Sequence, residues 1–374
     1  MIDIIDESLA FSIGQYSGMA DTMLKIPDVL PRSTDAGGRL LTAKSGWWTS
    51  GFFPGSLWYL YEYSNDEKLK DAAIRMTSRV EREKFNTGTH DLGFMLYCSF
   101  GNGFRLTGDT AYRGVLLTGA NSLLTRFRPL VGCIQSWDHV KKWECPVIID
   151  NMMNLEYLAW AFKETGDSAY YNTCISHSDT TIKYHFRPDF SSYHVVSYDT
   201  VTGRVEARQT AQGYSDESSW ARGQSWGLYG YTVMYRETGL PRYLDQARKI
   251  AGYLIDHPRM PADKIPYWDY DAPGIPSELR DASAGATMAS ALIELSGMVD
   301  SATGQKYLET AEVQLRSLAS PAYRSSLGEN GNFILMHSVG SMPGKGEIDV
   351  PLTYADYYFI EALMRYRRLL LEDN

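Results

Sequence analysis

Apolar residues recur at intervals of three and four along most of this chain, the spacing that lays one apolar stripe along an α-helix. Twelve such stretches can be read, near 3–25, 50–64, 66–84, 92–107, 110–127, 151–165, 168–186, 219–238, 241–256, 282–299, 303–319 and 354–371. They are separated by a recurring punctuation, in which one stretch ends on a small turn and the next opens on an acid, a proline or a polar residue. The copies are Tyr63-Ser-Asn-Asp-Glu-Lys-Leu69, Leu106-Thr-Gly-Asp-Thr-Ala-Tyr112, Glu164-Thr-Gly-Asp-Ser-Ala-Tyr170, Glu237-Thr-Gly-Leu-Pro-Arg-Tyr243 and Ala302-Thr-Gly-Gln-Lys-Tyr307. Glycine after a last helical turn takes the left-handed cap at little cost, and the Asp or Pro that follows suits the start of a new helix. Each copy therefore predicts two antiparallel helices.

The copies lie roughly forty to seventy residues apart, too unevenly for a fixed-period solenoid. Six hairpins closing in a ring is the predicted architecture. The more apolar stretches, such as Asn151 to Trp160 and Trp226 to Met234, belong inside, and charged ones such as 66–84 outside. One region breaks the helical period: Ser192 to Asp199 and Arg204 to Thr210 alternate with period two around Thr202-Gly203, which predicts a β-hairpin on the loop rim beside the site. No linker interrupts the pattern, so residues 1–374 are expected to form a single domain.

With 44% apolar and 22% charged residues the chain has material for a large core and no signature of disorder. Its 26 Tyr and 9 Trp exceed what a core alone usually needs and suit stacking on sugar rings. A net charge of −9 and a pI near 5.4 provide no broad cationic field, so nucleic acid and anionic membrane are not expected partners. The four cysteines, Cys98, Cys133, Cys145 and Cys174, follow no metal or redox spacing and read as buried free thiols. The N-terminus carries acids where a signal peptide carries Lys or Arg, and no apolar run is long enough to span a membrane. A cytoplasmic location is expected, or a periplasmic one if a signal peptide has been removed.

Two acidic motifs carry the chemistry: Thr89-His90-Asp91-Leu-Gly-Phe94 and Ile148-Ile-Asp150-Asn-Met-Met153. Each places a carboxylate where a loop meets a helical pattern. Such an Asp can simply cap its helix, and the helix N-terminus lowers its pKa. A proton donor at neutral pH needs the opposite effect, which a second carboxylate in an aromatic-lined pocket supplies through repulsion and desolvation. His90 reads equally as a ligand contact or a structural histidine, and no His-Glu-x-x-His pattern supports a metal site. Trp47 and Trp48, in a Gly/Pro-rich loop, offer one ring to a ligand, and Trp137 lies in a similar loop. In Ser219-Trp-Ala-Arg222-Gly-Gln-Ser-Trp226, Arg222 can fork onto a ligand carboxylate or form an internal salt bridge. No phosphate-cradling loop or nucleophile elbow is present.

At these residues the chain resembles the unsaturated glucuronyl hydrolases of glycoside hydrolase family 88. The similar segments are Trp48-Thr-Ser-Gly-Phe-Phe-Pro-Gly55, His90-Asp-Leu-Gly-Phe94, Ile149-Asp-Asn151, Ser191-Ser-Tyr-His194, Ser219 to Trp226, Tyr267-Trp-Asp269, Arg280-Asp-Ala-Ser283 and Asp356 to Leu363. The resemblance implies an all-α, (α/α)6 barrel and a substrate left by polysaccharide lyases, an oligosaccharide with a 4,5-unsaturated uronic acid at its non-reducing end. It implies Asp150 as general acid/base and Asp91 as the second carboxylate. It further implies Trp48, His90, Trp137, His194, Gln212, Arg222 and Trp226 as substrate contacts, with no metal or organic cofactor. The protein is expected to be a monomer or weak homo-oligomer. Members that prefer sulfated glycosaminoglycan disaccharides carry Ser-x-x-Ser-x-Lys near the C-terminus. Here Ser341-Met-Pro-Gly-Lys345 lacks the second serine, leaving Ser341 and Lys345 as candidate sulfate contacts.

Two rivals remain at this level. The related unsaturated rhamnogalacturonyl hydrolases share barrel and reaction, but their arginine motif usually reads Arg-Gly-Asn-Gly-Trp and their first Asp is not normally preceded by His. A non-catalytic binder of acidic oligosaccharides needs no proton donor, so the pair Asp91 and Asp150 speaks against it.

Overall fold

The structure, a computed structural model, describes residues 1–372. Its helices are α1 (Ile2–Met23), α2 (Phe52–Ser64), α3 (Glu67–Ser78), α4 (Asn102–Thr107), α5 (Thr110–Leu124), α6 (Leu155–Thr165), α7 (Ser168–His185), α8 (Ala221–Thr238), α9 (Pro241–Ile255), α10 (Ala282–Ser296), α11 (Ser301–Leu318) and α12 (Thr353–Glu372). Four of the five punctuation copies act as the sequence predicts. Asn65, Gly108, Gly166 and Gly239 end their helices in the left-handed conformation. Asp66, Asp109 and Asp167 then cap the next helix by accepting the amide two residues on, and Pro241 opens α9.

The fifth copy is a correction. Gly304 lies inside α11, and the turn is four residues earlier, where Asp300 caps the helix by accepting the Thr303 amide. A side chain at Gly304 would meet the Ser296 carbonyl at 2.5 Å, so this glycine serves the close approach of α10 and not a turn.

Helices α2, α4, α6, α8, α10 and α12 form an inner ring, in which α12 packs back against α2, while α3, α5, α7, α9 and α11 lie outside their hairpin partners. The sixth hairpin joins the two ends of the chain, with α1 against α12. This is the (α/α)6 barrel. One core cluster runs from Ile5 to Tyr366. The division of polarity follows the ring: α10 buries every residue except Glu294 and Ser296, whereas α3 buries only Leu69, Ala72, Ala73, Met76 and Thr77.

The stretches bearing the two acids depart from α geometry. The predicted helix 92–107 begins as a π-helix, Gly93–Gly101, and 151–165 begins with a 3-10 turn, Ile149–Asn154. Stretch 66–84 likewise breaks after Ser78 into a 3-10 turn, Glu81–Phe85. Irregular helical turns of this kind favour functional positions, because they redirect side chains that a regular ladder would hold.

The predicted β-hairpin is present as β6 (Val195–Tyr198) and β7 (Val205–Gln209), but β5 (Cys145–Ile148) joins it, giving the antiparallel order β5-β6-β7. β5 and β6 are buried on both faces, so β5 reads in sequence as a short apolar run with no alternation. Three further two-stranded sheets, unmarked by sequence period, complete the rim: β1 (Leu30–Thr34) with β2 (Leu40–Ala43), β3 (Phe127–Arg128) with β4 (Cys133–Ile134), and β8 (Ser338–Ser341) with β9 (Gly346–Val350). The four cysteines are unpaired, and Cys133, Cys145 and Cys174 are buried. Among the described residues no helix is long and apolar enough to cross a membrane.

Candidate active site

The segments following the two acids are locked together. A Cβ on Gly93 would sit 2.7 Å from Asn154 Oδ1, and the Phe94 amide donates to that same oxygen at 3.2 Å. Only glycine at 93 lets the π-helix approach the 3-10 turn so closely. Asp150 is pinned on both sides: the Ile149 amide donates to the His194 carbonyl at 3.1 Å, and Asn151 Nδ2 donates to the Ile134 carbonyl at 2.7 Å and to Ser136 Oγ at 3.0 Å. Neither carboxylate caps its helix, the structural alternative that sequence left open. Asp91 accepts the Thr89 hydroxyl at 2.8 Å, and Asp150 Oδ2 has no partner among the described residues.

Burial dominates the electrostatics of Asp150, which is 8% exposed: loss of hydration raises its pKa to about 7. The Arg222 charge opposes this rise and the Asp91 carboxylate adds to it. Desolvation thus supplies most of the lift, with repulsion between the acids second to it. Asp356 is fully buried and also raised to about 7 by burial, but it accepts the Ile334 and Leu335 amides and the Tyr16 hydroxyl. Its hydrogen bonds are complete, and it ties α12 to the preceding loop.

The histidines are neutral donors and acceptors. His194 Nδ1 accepts the amides of Ala211 at 3.1 Å and Gln212 at 3.2 Å, so its hydrogen lies on Nε2, 3.7 Å from Asp150 Oδ2. Burial lowers its pKa to about 3. His90 is oriented the other way: Nδ1 is 3.1 Å from the Ser136 carbonyl, which fixes the hydrogen there, and Nε2 faces Asp91 Oδ1 at 3.2 Å. Burial lowers the His90 pKa too. Two acceptors held side by side call for a donor between them, such as a sugar hydroxyl.

Arg222 resolves the choice that its sequence context posed. It is 1% exposed, and its terminal nitrogens are engaged within the protein: Nη1 on Asp281 at 3.0 Å and the Val339 carbonyl at 2.5 Å, and Nη2 on the Gly340 carbonyl at 2.6 Å. The internal salt bridge is formed, so the fork is closed by protein, and Nε is left without a partner.

Aromatic rings connect the remaining predicted residues. Trp48 packs on Tyr354 at 4.8 Å and Phe94 at 5.4 Å, and Phe94 packs on Trp226 at 5.4 Å. Trp137 meets His194 edge-on at 6.1 Å. Gln212 reaches the Gly340 carbonyl at 3.3 Å. Trp47 lies apart, beneath the Arg32 guanidinium at 3.9 Å. Ser341 ends β8 and Lys345 sits in the turn to β9, and the Ser341 hydroxyl accepts the Gly344 amide at 3.1 Å. Sequence reasoning missed Trp220, stacked between His194 at 4.4 Å and Arg222 at 4.5 Å, and it missed Tyr354 and Asp281. The place of Trp220 in the same short segment as Arg222 and Trp226 was the available signal.

Six buried polar atoms of this cluster find no partner among the described residues: His90 Nε2, Asp150 Oδ2, His194 Nε2, Arg222 Nε, Trp226 Nε1 and Tyr354 Oη. Leaving one such atom unsatisfied costs about 1–3 kcal/mol, so a convergent set is the mark of a surface built for a ligand rich in donors and acceptors.

The profile of Glycosyl Hydrolase Family 88 matches residues 25–367. An unsaturated glucuronyl hydrolase of Formosa agariphila is 46% identical over 87% of this chain and 81% of its own length. The crystal structure of an unsaturated glucuronyl hydrolase specific for heparin is 48% identical, covers 99% of both chains and superposes with a TM-score of 0.96. A variant enzyme of this type from Streptococcus agalactiae, crystallised in complex with dGlcA-GalNAc6S, is 27% identical over 98% of this chain and 92% of its own, with a TM-score of 0.83.

The elevated Asp150 pKa has a signature in stability. The folded value of about 7 lies above the unfolded value of 3.8, so the stability tied to its proton is present at low pH and lost as pH rises through 7. Asp150→Asn, which carries no charge, is expected to stabilise the fold by about 2 kcal/mol more at pH 8 than at pH 5 in urea denaturation. A pH-independent difference would show that this carboxyl is not titrating near neutrality.

Proposed function

The chain belongs to glycoside hydrolase family 88 and is an unsaturated glucuronyl hydrolase acting on unsaturated oligosaccharides derived from glycosaminoglycans, and we propose that Asp150 is its general acid. The observation that carries this assignment is a buried carboxyl group whose pKa is raised to about 7 and whose Oδ2 has no protein partner.

The substrate contains a vinyl ether. Asp150 gives its proton to C4, the C4=C5 π electrons form the new C–H bond, and the positive charge at C5 is shared with the ring oxygen. Water adds at C5 and passes a proton back to the Asp150 carboxylate. The resulting hemiketal opens and releases the remaining glycan. Both protons are accounted for, and the anomeric carbon is never attacked, unlike in two-carboxylate glycosidases.

The other residues act on orientation and charge. Asp91 Oδ1 and His90 Nε2 form an acceptor pair for ring hydroxyls. The hydrogen on His194 Nε2, beside Asp150 Oδ2, is a donor to the substrate that does not titrate in the working range. Arg222 acts through its unpartnered Nε and its charge, which favours the uronate, and Asp281 holds that charge in place. Trp48 and Trp137 supply ring faces, the fully buried Trp226 its unpartnered indole N–H, and Gln212 an amide. Residues 1–374 serve as one catalytic domain. Retention of this whole set, with relatives named for glucuronyl substrates, favours this reading over a rhamnogalacturonyl hydrolase or a binding module.

We assign heparin-derived disaccharides as the preferred substrates. The similarity at 48% identity to an enzyme specific for heparin supports this. Ser341 and Lys345 of the β8–β9 hairpin are the proposed sulfate contacts, since the Ser341 hydroxyl, which accepts the Gly344 amide, still has its own hydrogen to donate.

Turnover is read from loss of the ultraviolet absorbance of the conjugated alkene. The rate is expected to fall as pH rises through about 7, and Asp150→Asn to lose about a hundredfold to ten-thousandfold in kcat. Full turnover by that variant would remove Asp150 from the role. Across disaccharides from heparin, chondroitin and hyaluronan, kcat/KM is expected to be highest on the heparin product, and a chondroitin preference would overturn that assignment.

A further inference from the structure

The residues of the candidate active site lie at one end of the barrel, before or near the starts of the inner helices. The other end is not closed. A cavity of about 700 Å³ occupies it, and every inner helix contributes to its wall from residues further along: Tyr59 in α2, Tyr97 in the π-helix, Trp160 in α6, Tyr229 in α8, Glu294 in α10 and Tyr358 in α12. None of the carboxylates or histidines of the catalytic cluster lines it. The two regions are back to back, with Phe94 between them, since it lines the cavity and also packs on Trp48 and Trp226.

The wall contains charge, and apart from the exposed Glu372 that charge is committed. Arg236 pairs with Glu156, with Glu237 at 2.8 Å and with Glu294 at 2.6 Å. Arg365 pairs with Glu294 at 2.7 Å, and Arg105 and Arg368 each reach Glu62 at 2.7 Å. The Glu361 carboxylate accepts hydroxyls from Tyr59, Tyr229 and Ser290. An anion or cation entering here would have to displace one of these partners, and a desolvated pair repays such an exchange poorly.

Apart from Glu372, what is uncommitted is neutral. The hydroxyls of Tyr97 and Tyr358 and the indole N–H of Trp160 line the cavity with no hydrogen-bond partner among the described residues, although Tyr358 is only 2% exposed. Trp160 and Tyr97 also present ring faces: their centroids are 6.1 Å apart, and Tyr157 stacks against both, with interplanar angles of 26° to Trp160 and 27° to Tyr97. Rings flanked by uncharged donors and acceptors suit a molecule with C–H faces and hydroxyl edges, and the volume lies in the range of small-molecule sites.

We propose that the barrel end opposite the carboxylates is a second binding site, for a neutral pyranose sugar. Isothermal titration with glucose and with N-acetylglucosamine tests it, using glucuronate as the charged counterpart. Saturable binding of a neutral sugar is expected in the wild-type protein, weaker binding of glucuronate, and about a tenfold loss of affinity in Trp160→Leu, with kcat/KM on unsaturated disaccharide unchanged. No saturable heat with either neutral sugar, equal affinity in Trp160→Leu, or tighter binding of glucuronate would each overturn the proposal. If Trp160→Leu loses activity and therefore its fold, Tyr97→Phe decides, because it deletes one hydroxyl: weakened binding supports the site and unchanged affinity overturns it.

Discussion

The site depends on the burial of one carboxyl group beside a guanidinium that is already occupied. Asp150 has lost its hydration, and the one cation near enough to compensate, Arg222, is bound through both terminal nitrogens to Asp281 and to the Val339 and Gly340 carbonyls. Were that guanidinium free to fork onto Asp150, the carboxylate would be stabilised and the acid would be lost. Were it absent, nothing in this acidic protein would favour a uronate there. Asp281 therefore tunes two properties at once: it holds a positive charge within reach of an anionic sugar, and it limits how far that charge lowers the Asp150 pKa.

The barrel turns this local balance into a rigid arrangement. The proposed catalytic residues sit at the starts of inner helices, where loops and irregular turns can redirect side chains, while the α-helical lengths beyond them are packed from Ile5 to Tyr366 in one core. Gly93 against Asn154 sets the distance between the two acidic segments, and the three-stranded sheet fixes His194 through the pairing of β5 with β6. The histidines gain their tautomers from backbone groups alone, and burial lowers the pKa of both.

Much of this was legible from local signals. The cap chemistry at Asn65, Gly108, Gly166 and Gly239 lies within a few residues, so sequence could read it, and six hairpins followed. Gly304 misled because a glycine after threonine looks like a cap, when its purpose is contact with Ser296, the last residue of the helix before the turn. The paired acids, His90, His194 and the tryptophans were singled out by motif. Their chemistry depended on facts that no local pattern carries: Asp281 lies 59 residues beyond Arg222, and the amides that set the His194 tautomer arrive from the far side of a hairpin. β5 escaped notice because a strand buried on both faces has no alternation to read.

The central claim is that a proton moves from Asp150 to C4 of the alkene. Hydrolysis of an unsaturated disaccharide in heavy water, followed by NMR of the released uronic-acid product, tests it directly. The account predicts one deuterium on C4 and a consumed double bond in every turnover. A product that retains its alkene, or one that carries no deuterium at C4, would contradict it.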